Sequence, residues 1–363
     1  MSAVTNPPLR LGVVGCGYVA ERVHLPVVAR LPEVEVVAVA ERDHARLARV
    51  GDAFGIGSRH RDADDLVADP DVEAIAVLVP PAEHAAPAAA ALEAGKHVLV
   101  EKPLTLSLDE ADRLVDRAAR FAGVAMVGFN LRWLEAVQRG RKLVADGTLG
   151  EVEAVHTVLT SHRRFDPAAP EWRRRPDLGG GSLIEQGIHH FDLWRFMLGS
   201  EVEEVFAAAH AGDVGAAVTA RMADGALVQT TLSERTTPTH SVEILGTQAS
   251  LRLRLTHFDG FELMPAGQED SAPAVRVRHL RRTLRRLPRA VVELRTGGHF
   301  ASSYAEQWRR FAAAARKGIA TAPSFEDGRR ALEISIAAVR SASTGEPVRL
   351  EPRPRHLAAR APA

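Results

Sequence analysis

Cysteine is almost missing from this chain: Cys16 is the only one among 363 residues. A single thiol excludes an intrachain disulfide and any thiol-based metal cage, and no metal site is expected. Net charge is missing too, with 46 basic residues against 46 acidic ones. A balanced surface gives no electrostatic grip on nucleic acid or an anionic membrane, so neither is expected as a partner. No apolar run approaches the ~18 residues that cross a bilayer. The first ten residues hold no apolar core segment, so no secretory signal is read there and a cytoplasmic location is expected. Lysine is scarce: only Lys96, Lys102, Lys142 and Lys317 stand among 46 Lys and Arg residues. Where arginine serves almost everywhere, a retained lysine is a candidate for chemistry that needs a lowered pKa. Tyrosine occurs only at Tyr18 and Tyr304.

Apolar residues are plentiful, at 46%, and they change pattern along the chain. Leu9–Val14, Val34–Ala40, Ile75–Val79, Val98–Val100 and Val124–Val127 are continuous β-branched runs, as in strands buried on both faces. Ala-rich helical segments such as Glu83–Ala94 and Asp109–Ala122 lie between them. Repeated βα units predict a doubly wound α/β fold of the Rossmann type. After about residue 130 the runs alternate: Val152–Thr160, Val202–Ala208, Ala216–Met222, Ala226–Ser233, Ser241–Leu245 and Ser250–Leu255. Asp224-Gly225 marks a hairpin. This predicts an α+β region with a mainly antiparallel sheet, interrupted by a helix at Leu183–Leu198. Helices at about Ser302–Arg316 and Phe325–Ser341 close it. The expected division is 1–129 for the dinucleotide-binding domain, 130–350 for the α+β substrate and oligomerisation domain, and 351–363 for a tail. Leu280, Leu284, Leu287, Val291 and Leu294 recur at helical spacing among arginines, which reads as an amphipathic surface helix or a site for an anionic partner.

The first strand ends in Gly15-Cys16-Gly17-Tyr18-Val19-Ala20. Gly15 suits the tight turn, Gly17 lets backbone approach a pyrophosphate, and Ala20 allows close helix packing, while Tyr18 and Val19 open the helix beside them. Glu41 ends the second strand and suits the adenosine ribose hydroxyls, which favours NAD. Arg42 and Arg46 nearby keep NADP open, because arginine holds a 2′-phosphate. Pro80 and His84 follow the third long run at the same carboxyl edge. His84 is either near the nicotinamide half of the cofactor or a first-turn histidine facing solvent.

Glu101-Lys102-Pro103 ends the next run. The proline forces extended backbone at Lys102, so its ammonium projects from a strand end to polarise a carbonyl or stabilise an alkoxide. An ion pair with Glu101 or a nearby acid is the alternative. Glu185, His189 and Asp192 follow three glycines at i, i+4 and i+7, on one helical face. A histidine flanked by carboxylates is a candidate general base. Ser182-x-x-Glu185 also reads as a capping box, and Asp192 as a buried structural acceptor. Arg163, Trp172 and Arg173 stand in the basic loop Ser161–Arg175, which reads either as a cover that binds substrate or as a solvated charged loop.

Together these residues resemble the Gfo/Idh/MocA oxidoreductases, the glucose-fructose oxidoreductase and inositol dehydrogenase family. Gly15-x-Gly17-x-x-Ala20, Glu101-Lys102-Pro103, Gly147-x-Leu149-Gly150, Gly187-x-His189-x-x-Asp192 and Ser324-x-Glu326-Asp327-Gly328 carry the resemblance from Gly12 to Leu350. It implies Lys102 as catalytic lysine and His189 as catalytic histidine. Glu185 stands where the family often has an aspartate that touches a substrate hydroxyl. Some members use a tyrosine from the antiparallel sheet, which this chain lacks there. The resemblance implies NAD(P)-dependent hydride transfer to or from a secondary alcohol or ketone of a sugar, cyclitol or sugar derivative. It also implies an open-faced sheet that joins homodimers or homotetramers. A non-catalytic NAD-binding regulator, an NAD-retaining glycosidase and an imine reductase remain as alternatives on the same fold.

Overall fold

The computed structural model describes residues 7–257, 260–267, 298–319 and 322–351, with isolated positions at 277, 281 and 284. The tail after residue 351, and the heptad-like pattern around 280–294 apart from residues 281 and 284, lie outside the described residues.

Six strands form the first sheet: β1 (Leu9–Val14), β2 (Val34–Ala40), β3 (Ser58–His60), β4 (Ala74–Val77), β5 (His97–Val100) and β6 (Ala125–Val127), in the order β3-β2-β1-β4-β5-β6. All pairings are parallel. The order reverses between β1 and β4, and in such sheets the ligand crevice opens outside the carboxyl ends at that point. The central strands are buried on both faces, which is why their sequences read as unbroken apolar runs. The polar strand β3 carries no such run, and sequence pattern does not reveal it. Helices α1 (Leu25–Val28), α2 (His44–Phe54), α3 (Ala63–Ala68), α4 (Ala85–Glu93) and α5 (Leu108–Ala119) form the crossovers. Two apolar layers result, one on each face of the sheet.

The second sheet follows α6 (Glu135–Ala145). It comprises β7 (Val152–Thr160), β8 (Val202–Ala209), β9 (Gly215–Met222), β10 (Leu227–Ser233), β11 (Thr239–Gly246), β12 (Ala249–Arg254), β13 (Phe261–Pro265) and the short β14 (Val348–Arg349). The order is β13-β12-β11-β7-β10-β9-β8-β14. Only β7 and β10 run parallel. Helix α7 (Gly187–Leu198) crosses between β7 and β8 and packs with α6 on one face. Alternate residues of β9 and β10 point to the other face and are exposed.

Two closing helices tie the sheets together. Helix α8 (Gly298–Lys317) returns to the first sheet, where Trp308 and Phe311 join Leu9, Leu11 and Val39 in one core. Helix α9 (Phe325–Thr344) serves both: Phe325 and Leu332 pack into the first sheet's layer, Ile334 and Ala338 into the second's. A division at residue 129 therefore cuts the chain but not its cores.

A buried ionic cluster sits where these elements meet. Arg132 grips Asp192 of α7 through two bonds of 2.7 and 2.5 Å, and reaches Asp327 of α9 at 3.0 Å. Its guanidinium also lies 4.7 Å from the centre of the Phe196 ring. Asp192 is thus spent on holding α7 to the chain after β6. It does not orient His189, despite the i+3 spacing.

Candidate functional site

A cleft of about 1040 Å³ opens at the carboxyl edge between β1 and β4. Gly15, Gly17, Tyr18 and Val19 line one wall, Glu41 and Arg42 the far end, and Pro80 the opposite lip. Gly15 has φ 94°, and a Cβ there would lie 2.8 Å from Val79 and 2.9 Å from the Leu78 backbone. A Cβ on Gly17 would meet nothing within 4 Å, so its bare backbone faces open space where a bulky anion can approach. Ala20 is fully buried under the turn. Glu41 Oε2 accepts the Cys16 N–H and Oε1 the Asp43 N–H, both at 3.0 Å. The carboxylate is thereby fixed where β2 meets the glycine turn. Burial and then Glu41 push the Cys16 thiol up to about 12, so it carries no thiolate chemistry at neutral pH. These residues fit a dinucleotide: bare glycine backbone for the pyrophosphate, and a fixed carboxylate for the ribose.

His84 lies elsewhere. It is fully buried, outside the cleft lining, with Nδ1 2.7 Å from the Pro103 carbonyl and Nε2 3.0 Å from the Val79 carbonyl. It ties two strand-end loops together and faces neither the cleft nor solvent.

Loop residues from the second sheet's side close the cleft. Trp172 and Arg173 line it, and the Arg173 guanidinium lies 5.2 Å from the Tyr18 ring centre. Arg173 connects the cleft to a charged cluster beneath. Its Nε is 3.6 Å from Glu185, Arg163 Nη1 donates to both Glu185 oxygens at 2.7 and 2.6 Å, and Lys102 Nζ lies 3.4 Å away. Lys102 Nζ also donates to the Glu185 carbonyl at 2.6 Å. The strand-end lysine and the start of α7 therefore touch. Burial opposes ionisation of Glu185, but Arg163, Lys102 and Arg173 outweigh it and hold the carboxyl far below its usual range. Burial pulls Lys102 below the ordinary lysine value, while Glu185 and Glu101 oppose it.

Glu185 does not act in a capping box. The chain from Ser182 to Gln186 makes a widened turn, in which the Gly187 N–H bonds the Ser182 carbonyl. The Ser182 hydroxyl donates instead to Asp213 at 2.6 Å. Freed from the cap, Glu185 turns toward Lys102. His189 lies on the next turn, with its ring 6.5 Å from that of Phe129. Burial and then Lys102 push its imidazole well below the ordinary value. Its Nδ1 is buried with no hydrogen-bond partner among the described residues.

Behind Lys102, Glu101 is held from two sides. Lys102 N–H donates to Oε2 at 3.1 Å, and His24 Nε2 lies 3.0 Å from Oε1. Trp308 Nε1 donates to His24 Nδ1 at 3.2 Å. An indole only donates, so Nδ1 must accept and the His24 proton sits on Nε2, aimed at Glu101. Helix α8 thus props the lysine through Trp308, His24 and Glu101. Sequence reading passed over His24, Trp308, Tyr304 and Glu234. The Tyr304 ring packs edge-on to His24 at 5.0 Å, and the buried Glu234 follows β10 and accepts the Arg164 N–H on its carbonyl. None of the four belongs to a local motif.

Comparison with known proteins matches both parts of this chain to one family. Residues 9–129 match the oxidoreductase family with an NAD-binding Rossmann fold, and residues 141–350 match its C-terminal alpha/beta domain. A myo-inositol 2-dehydrogenase of Thermotoga maritima is 28% identical, over 94% of this chain and 99% of that protein. A dTDP-3,4-didehydro-2,6-dideoxy-alpha-D-glucose 3-reductase of Streptomyces antibioticus is 37% identical, over 54% of this chain and 59% of that protein. An oxidoreductase domain protein from Kribbella flavida has the same fold at TM-score 0.79 and 26% identity, covering 96% of this chain and 100% of that one. The crystal structure of GenD2 from gentamicin A biosynthesis in complex with NAD gives TM-score 0.79 and 26% identity, covering 96% and 97%. With both of its domains matched, this chain belongs to the Gfo/Idh/MocA family of NAD-binding oxidoreductases.

Proposed function

We propose that this chain is an NAD-dependent oxidoreductase acting on a secondary alcohol or ketone of a sugar, cyclitol or sugar derivative. The observation that carries the reading is the contact of Lys102, just past the end of β5, with Glu185 in the turn that leads to His189 on α7, beneath the Arg173 that lines the cleft. Relatives named for inositol, dTDP-sugar and anhydrofructose chemistry support the substrate class.

Gly15, Gly17, Tyr18, Val19 and Ala20 would hold the pyrophosphate half of NAD, and Glu41 the ribose. Glu41, fixed at the end of β2 by the Cys16 and Asp43 N–H groups, suits the ribose hydroxyls and disfavours a 2′-phosphate, which supports NAD over NADP. Bound NAD supplies the two-electron carrier. Lys102 donates a hydrogen bond to the reacting oxygen and stabilises negative charge there. His189, neutral at neutral pH, takes or returns the hydroxyl proton. Glu185 holds Lys102 in place, and Arg163, Arg173 and Trp172 close the site over the substrate.

NAD reduction followed at 340 nm against cyclitols, aldoses, uronates and nucleotide-sugars tests the reading. Lys102→Ala and His189→Ala should each lose about 10²–10⁴-fold in turnover while NADH affinity is kept. Unchanged turnover in both variants would remove these roles.

The open face of the second sheet is the proposed contact for a homodimer or homotetramer. Phe206 and Leu227 are 42% and 59% exposed there, around a shallow depression of about 400 Å³. Such side chains on an uncovered sheet suit a self-complementary contact.

A further inference from the structure

The charges around Glu185 do not balance. Glu101 acts on Lys102 from behind and offsets it. Glu185 is then the single carboxylate facing two arginines, Arg163 and Arg173. Glu234 supplies only part of a negative charge, because burial first and Glu185 second push its carboxyl up to about 7. Part of one positive charge is left over beside Glu185.

The donors are unspent as well. Of its five N–H groups, Arg163 uses only those on Nη1 among the described residues, both on Glu185. Arg173 makes no side-chain hydrogen bond among the described residues: its buried Nε lies 3.6 Å from Glu185, beyond hydrogen-bond reach. Its guanidinium is instead held flat by Tyr18 and Trp172, at 5.2 and 5.6 Å from their ring centres. Two planar forks from one loop, one of them locked by aromatic rings, match the geometry of a carboxylate or phosphate.

We propose that Arg163 and Arg173 form an anion subsite, so that the substrate is a polyol or sugar carrying a carboxylate or phosphate group. The proposal rests on the oxidoreductase reading and narrows its substrate. A neutral sugar offers these forks only single hydroxyl acceptors, whereas a carboxylate or phosphate matches a planar fork with two.

The test is calorimetric titration of the NADH-saturated protein with D-glucuronate, D-glucose 6-phosphate and D-glucose. At least one anion should bind about tenfold or more tighter than glucose. Arg163→Gln and Arg173→Gln should each weaken that anion by about 10- to 100-fold, a loss several-fold larger than the one glucose suffers in the same variant. Arg163→Lys, which keeps the charge and loses the fork, should fall between. Comparison of the two anions tells carboxylate from phosphate. NADH titrations of the same variants report whether they fold, and whether the arginines serve the cofactor's own phosphates instead. Glucose binding as well as both anions would overturn the proposal, as would variants that weaken NADH alone. Heat of binding needs no turnover: an anion that binds selectively without reducing NAD would count against the oxidoreductase reading and leave the subsite standing.

Discussion

At the residue scale, the site works by setting titratable groups against one another. Glu185 is held ionised by three cations, while burial leaves Lys102 and His189 each easier to deprotonate than in water. A lysine and a histidine that both feel one carboxylate can divide the tasks of holding and exchanging a proton. Glu234 shows the same physics in reverse. Its carboxyl is raised from 4.5 to about 7, so the folded chain binds that proton more tightly than the unfolded one. Its contribution to stability is full below pH 4.5 and is lost as pH rises through about 7. Glu234→Gln removes that loss. The Tm of the variant relative to the parent should therefore climb between pH 4.5 and 7, as scanning calorimetry can follow. A constant difference across that range would mean the carboxyl titrates normally. Lys102, Glu185 and His189 were legible in the sequence because each sits beside a local signal: a strand end, a glycine run, a helical spacing. Glu234 and Tyr304 were not, because only tertiary packing brings them near.

At the scale of elements, α7 carries two jobs on one helix. The widened turn before it presents Glu185, its first turn His189, and its middle buries Asp192 on Arg132. Helical spacing alone placed all three on one face. The widened turn at Ser182–Gln186 changes the phase, and Arg132, sixty residues upstream, competes for Asp192. No local pattern records either event. The pairing also explains how α7 keeps its angle to the first sheet, since Arg132 bonds both α7 and α9. Asp192→Ala would leave a buried guanidinium with half its partners and should cost about 3–5 kcal/mol in urea unfolding. A loss under about 1 kcal/mol, the value of an exposed pair, would show that the cluster is dispensable.

At the scale of the whole molecule, the two sheets share helices, so the cleft and the charged cluster are held by one connected framework. The parallel sheet was legible because buried strands read as apolar runs, and the second sheet because its strands alternate. The return of α8 onto the first sheet was not, since Trp308 and Phe311 make an apolar stripe that would suit either core. The open sheet face is the remaining large surface. Phe206→Glu together with Leu227→Glu should convert an oligomer to monomer in sedimentation velocity without changing NADH affinity. A wild-type protein that already sediments as a monomer would contradict the proposed contact.

The central claim is that the amine of Lys102 and the ring of His189 serve one reacting carbon beside the dinucleotide cleft. A crystal structure with NADH and a bound polyol tests it most directly. The account predicts Lys102 Nζ and a His189 ring nitrogen on the same substrate oxygen, with the carbinol carbon at roughly 3–3.5 Å from the nicotinamide ring. A polyol seated away from both side chains, or a nicotinamide lying outside the cleft, would contradict it.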